Sequence, residues 1–217
     1  MMAGKITALT YQKRNKDRVN VYLDGEFGFG LAAVEAVRLR VGQDLNDDEI
    51  ELLRRKDGID RAHGRALDYL GYRPRSTSEV RRNLREKDVD DWIVDAVITR
   101  LERAGLLDDR EFARYWVDNR ERFNPRGLRG LRHELAQKGV TRQIIDEALA
   151  TYDEGAAARR TAYAGARRLP LGDLSAFRRK LQAYMARRGF SYSVIKPLVE
   201  EMVEERRCEE ESESEGR

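Results

Sequence analysis

The sequence predicts a mainly α-helical protein: three tandem three-helix repeats in an elongated curved array, preceded by a small N-terminal β-hairpin extension. Three observations predict it. An alternating segment centred on Asp24-Gly25 opens the chain, and from about residue 61 a helical pattern copies itself at shifts of 51 and then 50 residues. Charged residues make up 37% of the chain against 41% hydrophobic, so core material is spread thinly, as in stacked small units.

Residues 1–60 are the N-terminal region. Ile6, Ala8, Val19, Val21 and Leu23 alternate with more polar positions, and Asp24-Gly25 is a favoured two-residue hairpin turn from which Glu26 to Leu31 returns antiparallel. Helices are expected over Ala32 to Arg38 and over Asp47 to Arg55. The second opens with Asn46-Asp47-Asp48-Glu49, acidic residues that suit a positive helix N-terminus.

The three repeats are expected at 61–107, 108–152 and 153–205. Without gaps, the shifts superimpose Val80, Leu131 and Leu181; Leu84, Leu135 and Met185; Val89, Val140 and Phe190; Ile93, Ile144 and Val194; Val94, Ile145 and Ile195. The register continues through Val97, Ala148 and Leu198, then Ile98, Leu149 and Val199, then Leu101, Tyr152 and Met202. The punctuation repeats with it. Lys87, Lys138 and Arg188 place a cation at the negative end of a helix. Asp88, Gly139 and Gly189 follow, two of them glycines suited to the left-handed conformation that ends a helix, and Asp90, Thr141 and Ser191 bring an oxygen able to cap the next helix. A preceding helix is expected in each repeat, at Arg61 to Tyr72, Asp109 to Arg122 and Asp153 to Arg168. Ser76-Thr77-Ser78-Glu79 and Asp108-Asp109-Arg110-Glu111 fit the capping box. Residues 206–217 read as an acidic, disordered tail.

Within the second repeat stand Leu101-x-x-x-Gly105-Leu106-Leu107-Asp108-Asp109-x-Glu111-Phe112-Ala113-x-x-Trp116-Val117-x-x-Arg120, then Gly127, then Glu134-Leu135-x-x-Lys138-Gly139-Val140. This order of motifs resembles the RecX family of recombination regulators, and Arg75-Ser76-x-x-Glu79-Val80-x-x-x-Leu84 is similar to that family's opening repeat. The resemblance implies a crescent of three-helix units that lies in the groove of a RecA filament on single-stranded DNA and hinders ATPase, strand exchange or filament growth. The third repeat departs from the pattern, with Tyr184-Met185-Ala186-Arg187-Arg188 in place of the glutamate-leucine core and Pro197 inside its last helix.

The formal charge of +3 divides into −6 over residues 200–217 and +9 over the rest, a basic body that suits an anionic partner. Base concentrates on the second helix of each repeat: Arg81, Arg82, Arg85 and Lys87; Arg126, Arg129, Arg132 and Lys138; Arg178, Arg179, Lys180, Arg187 and Arg188. Arg126, Arg129 and Arg132 are three apart and would form one stripe. These faces are candidates for contact with a RecA filament and its single-stranded DNA; the plainer reading is that they pair with Glu79, Glu86 and Glu134. Trp116 shares an apolar stripe with Phe112, whereas Trp92 falls outside the apolar columns and is a candidate junction seal or partner contact. The alternative function is a tandem helix-turn-helix-like transcription regulator, but Asp90, Asp91 and Asp95 make the first repeat's last helix locally acidic.

No cofactor, metal, small-molecule substrate or membrane association is expected, and the anticipated compartment is the cytoplasm. His63 and His133 are the only histidines and Cys208 the only cysteine. Gly28-Phe29-Gly30-Leu31-Ala32-Ala33 imitates a dinucleotide fingerprint without the strand-helix-strand context. The acidic runs at Asp47 and Asp108 are explained as helix starts.

Overall fold

In the computed structural model, which describes residues 3–170 and 173–215, the alternating N-terminal segment forms β1 (Gly4–Tyr11), β2 (Arg18–Leu23) and β3 (Glu26–Ala32). Asp24 and Gly25 join β2 to β3 with φ of 50° and 93°, the two positive values that a tight hairpin of this twist requires. A fourth strand, β4 (Asp44–Leu45), pairs with Gly4 and Lys5, so the hairpin becomes an antiparallel sheet in the order β3-β2-β1-β4. Two residues carry no readable periodicity, which is why β4 escapes the sequence. Ile6, Val19, Val21, Leu23, Phe29 and Leu31 form the buried face with Ala36, Leu45 and Ile50. The helix expected over Ala32 to Arg38 shortens to α1 (Ala33–Ala36), whose cap position Ala32 offers no side-chain acceptor and whose Val34, with Val37 just beyond its end, faces solvent.

Two helices expected at Asp47 to Arg55 and Arg61 to Tyr72 are one helix, α2 (Asp47–Gly71). Asn46 and Glu49 close a full capping box at its start, with both hydrogen bonds 2.8 Å long. The Asp57-Gly58 step that suggests a break is accommodated inside it. Arg18 holds the Asp57 carboxylate at 2.9 Å, and a side chain at Gly58 would lie 3.0 Å from Ile93. The expected boundary at residue 60 therefore falls within continuous helix.

The described chain divides into two compact units. One runs as far as Arg73 and includes Val80–Leu107. It holds the sheet, α2, most of α3 (Thr77–Arg85) and α4 (Asp91–Arg103), and α2 packs on both β3 and α4. The other takes Pro74–Glu79 and the residues from Asp108 onward. There α5 (Asp109–Phe123), α6 (Leu128–Gln137) and α7 (Arg142–Leu149) surround one core, and α8 (Glu154–Ala166), α9 (Leu174–Arg187) and α10 (Tyr192–Glu215) surround another.

Every repeated apolar column enters a core. Val80, Leu131 and Leu181 are wholly buried, as are Leu84, Leu135 and Met185. Ile93, Ile144 and Val194 are partly buried at the edge of their three clusters, and Tyr152 packs against the cores of both the second and third repeats. The three helix stops also agree: Asp88, Gly139 and Gly189 have φ of 54°, 77° and 83°.

Two expectations fail. Asp90 and Thr141 start α4 and α7 without a side-chain cap, and Ser191 Oγ lies 2.9 Å from Ser193 Oγ instead. Their carbonyls accept only the ordinary first bonds of these helices, from the Val94, Ile145 and Ile195 amides respectively. The second failure is the disordered tail. Helix α10 continues through residue 206 to Glu215, and residues 216 and 217 lie outside those described. Glutamate and arginine are good helix formers, and Arg206 ties the helix down by donating to the carbonyls of Ala166, Leu169 and Pro170 at 3.0–3.2 Å.

Candidate functional site

The basic residues separate into tied and free sets. Arg81 on α3 forms an ion pair with Asp95 on α4, and Arg132 on α6 forms one with Asp146 on α7. These are the same pair 51 residues apart, and each ties a second helix to a third. The third repeat carries Gln182 and Lys196 at those positions. Arg85 donates to Asp91 at 2.7 Å. Arg126 lies ahead of α6 rather than on it, so the three-residue stripe expected with Arg129 and Arg132 is not a single helical row. Its Nε sits 3.2 Å from Glu134 Oε1, without the alignment of a hydrogen bond.

Glu134 is a hub. Its Oε2 accepts from Trp116 Nε1 at 2.9 Å and from Arg120 Nε at 2.7 Å, and the Arg120 guanidinium lies 4.4 Å from the Trp116 ring centre. Lys138 Nζ approaches the same ring at 5.1 Å and donates to Glu79 Oε1 at 2.6 Å, where the carboxylate is 8% exposed. Arg188 stacks 4.2 Å over Tyr184 and reaches Asn124 at 3.3 Å, and Arg179 donates to Ser175 at 2.7 Å. Of the three glutamates expected to absorb the base, Glu79 and Glu134 do so; Glu86 is exposed and makes no ion pair among the described residues. Arg82, Lys87, Arg129, Arg178 and Arg187 are exposed and have no ion-pair or hydrogen-bond partner for their side chains among the described residues. Trp92 is 46% exposed, with Arg55 of α2 lying 5.6 Å from its ring. Trp116 joins the second repeat's core beside Phe112, their ring centres 5.8 Å apart.

Within the second unit one contact occurs twice. The turn at Lys138-Gly139 meets the segment Ser76–Glu79: Ser76 Oγ donates to the Lys138 carbonyl at 2.5 Å, and a side chain at Gly139 would strike Ser78. Fifty residues on, the turn at Arg188-Gly189 meets Gly127–Gly130: the Gly127 amide donates to the Arg188 carbonyl at 3.0 Å, and a Cβ at Gly130 would lie 2.6 Å from that same oxygen. Ser76 and Gly127 are equivalent, as are Lys138 and Arg188. The residues at this repeated helix stop are thus part of the fold's own joint through their backbone carbonyls.

Family models give the arrangement its relatives. A model described as the regulatory protein RecX N-terminal domain matches residues 4–46, that of the RecX first three-helix domain matches 62–101, and that of the second three-helix domain matches 108–149. Regulatory protein RecX of Bacillus licheniformis is 32% identical over 201 residues, 90% of this chain and 76% of that protein. The chain belongs to the RecX family. RecX of Clostridium botulinum is 29% identical over 92% of this chain and 97% of its own length. A crystal structure of regulatory protein RecX matches with a TM-score of 0.70 and 30% identity over 90% of this chain and 98% of that one. RecX from Lactobacillus salivarius matches over 68% of this chain and 97% of its own, with a TM-score of 0.59 and 25% identity.

In this RecX-family chain several charged contacts escape sequence reading because their partners are distant. Arg110 on α5 and Glu147 on α7 pair at 3.0 Å; the hydrogen bond raises the arginine's pKa and lowers the carboxylate's. Tyr152 donates to the Arg126 carbonyl at 2.7 Å, and burial pushes its phenol up to about 12. Burial, followed by the charge of Arg100, lowers the pKa of His63 and favours the neutral ring. Among the described residues no group of three or more His, Cys, Asp or Glu side chains is placed to hold a metal, and no helix is long and apolar enough to cross a membrane. The Gly28–Ala33 segment lies in an antiparallel sheet, which removes the dinucleotide reading.

Proposed function

We propose that this chain regulates the RecA recombinase by binding RecA filaments on single-stranded DNA, mainly hindering ATPase, strand exchange or filament growth. The observation that carries the reading is family membership over nearly the whole chain, N-terminal sheet and repeats together. The free cations support it, since Arg82, Lys87, Arg129, Arg178 and Arg187 leave positive charge unanswered on all three repeats. A ligand that touches several protomers at once gains from effective concentration, so affinity for filaments exceeds affinity for free RecA subunits.

The test measures RecA ATPase on single-stranded DNA with increasing amounts of the chain, beside its binding to DNA alone over a salt series. Inhibition at amounts well below those needed to bind isolated RecA supports the reading. Sequence-dependent binding to duplex with no effect on the recombinase overturns it in favour of the transcription regulator.

A further inference from the structure

We propose that the third repeat carries a phosphodiester-binding hollow, formed by Arg168, Lys180 and Arg187 beside Tyr184, that grips the nucleic-acid backbone directly. This deepens the reading above, from which it takes only that DNA is present at the target. Arg168 follows the end of α8, and Lys180, Tyr184 and Arg187 come from α9; together with Gly165, Leu169 and Ala183 they line a depression of about 250 Å³. None of the three cations has a hydrogen-bond or ion-pair partner for its side chain among the described residues; Lys180 has only the longer-range attraction of Asp173. Most charged side chains named above are paired, so three cations without an ion pair around one hollow mark a place where self-repulsion is relieved by an anion.

The equivalent positions in the other repeats have different chemistry. Where the third repeat has Lys180, the others have Glu79 and Gly130; where it has Arg187, they have Glu86 and Gln137; where it has Tyr184, they have Asn83 and Glu134. Two acidic residues of the first repeat are thus replaced by cations seven residues apart, two turns along the same helical face. In the second unit the Ser76–Glu79 and Gly127–Gly130 segments each receive a turn, whereas Lys180 stands exposed. Position 180 is therefore freed from the joint that fixes its counterparts.

Three further features favour a phosphodiester. Arg206 already donates to the carbonyls of Ala166, Leu169 and Pro170, which removes the negative helix end that would oppose an anion beside Arg168. Two guanidinium groups and one ammonium match the forked and point-like donors that phosphate takes. The apolar wall of Leu169, Ala183 and Tyr184 suits a sugar, and the hollow is smaller than the sites that enclose whole small molecules, so it takes one unit of a polymer. Arg188 covers one face of the Tyr184 ring and Gly165 packs against it, so the ring serves as wall rather than as a base-stacking platform.

The experiment compares the full chain with an R168A/K180A/R187A variant and with a K13A/R14A/K16A control that removes three exposed cations between β1 and β2, outside the proposed contact surface. Binding of fluorescein-labelled oligo(dT), and of duplex of the same length, is followed by anisotropy over a salt series, with poly-glutamate as the acidic-protein probe. Losing three phosphate contacts should lower the salt slope for oligo(dT) by roughly 2, at about 0.7 per phosphate, while the control retains most of its slope. An unchanged slope in the first variant, an equal fall in the control, or a loss confined to poly-glutamate overturns the hollow. RecA ATPase inhibition is read separately: full-length inhibition without oligo(dT) binding removes the hollow and spares the proposed function, and the converse does the opposite.

Discussion

Gly130→Ala tests the joint on which the second unit depends. In the interior of an exposed helix this change ordinarily stabilises by about 1 kcal/mol, because glycine loses more backbone freedom on folding. Here the new Cβ would lie 2.6 Å from the Arg188 carbonyl oxygen and 3.3 Å from its carbon. The turn must retreat, and with it goes the Gly127 amide bond to the same carbonyl, now 3.0 Å long. Overpacking costs about 1–3 kcal/mol and a lost hydrogen bond about 0.5–1.5, so the propensity gain is outweighed and a net loss of about 1–3 kcal/mol is expected. Gly64→Ala in α2 is the matched control, since nothing lies within 4 Å of a Cβ there. It should stabilise by about 0.5–1 kcal/mol. The two tryptophans fall one in each unit, so urea unfolding can be read from Trp116 for Gly130→Ala and from Trp92 for Gly64→Ala, in W92F and W116F backgrounds respectively. If Gly130→Ala raises the urea midpoint as its control does, the turn is not seated on α6 and the account of the joint fails.

Three other perturbations follow from the same geometry. Glu134→Ala leaves Arg120 and the Trp116 indole N–H without their acceptor and is expected to cost about 3 kcal/mol, with Glu134→Gln costing about half; equal costs in urea unfolding would show that charge is irrelevant there. Arg132 and Asp146 are both nearly half exposed, at 47% and 46%, so a double-mutant cycle should give a coupling of only about 0.2–1 kcal/mol, and a value above about 2 would place the pair in a drier setting. Burial pushes the Tyr152 phenol from 10.0 up to about 12, so its contribution is complete below pH 10 and is lost as the pH rises through about 12. Tyr152→Phe should therefore flatten part of the fall in urea midpoint between about pH 10 and about pH 12, and an identical fall in both proteins would contradict the buried-phenol account.

Legibility in the sequence followed the physical range of each signal. The apolar columns were readable because burial recurs with helical period, and the fifty-residue spacing let each copy vouch for the others; the helix stops at Gly139 and Gly189 were readable because residue type adds to the spacing, whereas the left-handed Asp88 carries no such mark. Joining Asp47 to Gly71 into one helix was not, because Asp57-Gly58 looks like punctuation until Arg18 and Ile93, both far along the chain, are brought to it. Side-chain caps at Asp90 and Thr141 were over-read: residue type permits a cap without requiring one. At the candidate surface the sequence showed which residues are basic but not which are tied. Arg81 and Arg82 are neighbours of one type; only coordinates reveal that the first meets Asp95 while the second stays free.

Repetition itself sorts these cations. A cation that recurs at one register meets the same neighbours in each copy and so can serve the fold. Arg81 and Arg132 each reach an aspartate on the next helix, and the side chains of Lys138 and Arg188 are engaged too, the first by Glu79 and the second by Asn124 and Tyr184. One found in a single copy has no such inherited partner. Arg82 aligns with His133 and Ala183, Lys180 with Glu79 and Gly130, and Arg187 with Glu86 and Gln137, and all three are exposed without an ion pair. Lys87 shows the limit of the rule, being free although its counterparts are engaged. The consequence concerns where target contacts are to be sought. A uniform basic stripe would spread loss of binding evenly over the repeats, whereas non-repeating cations concentrated on α9 and just past the end of α8 make the third repeat, the one least faithful to the family pattern, the place where substitutions should cost binding while sparing the fold.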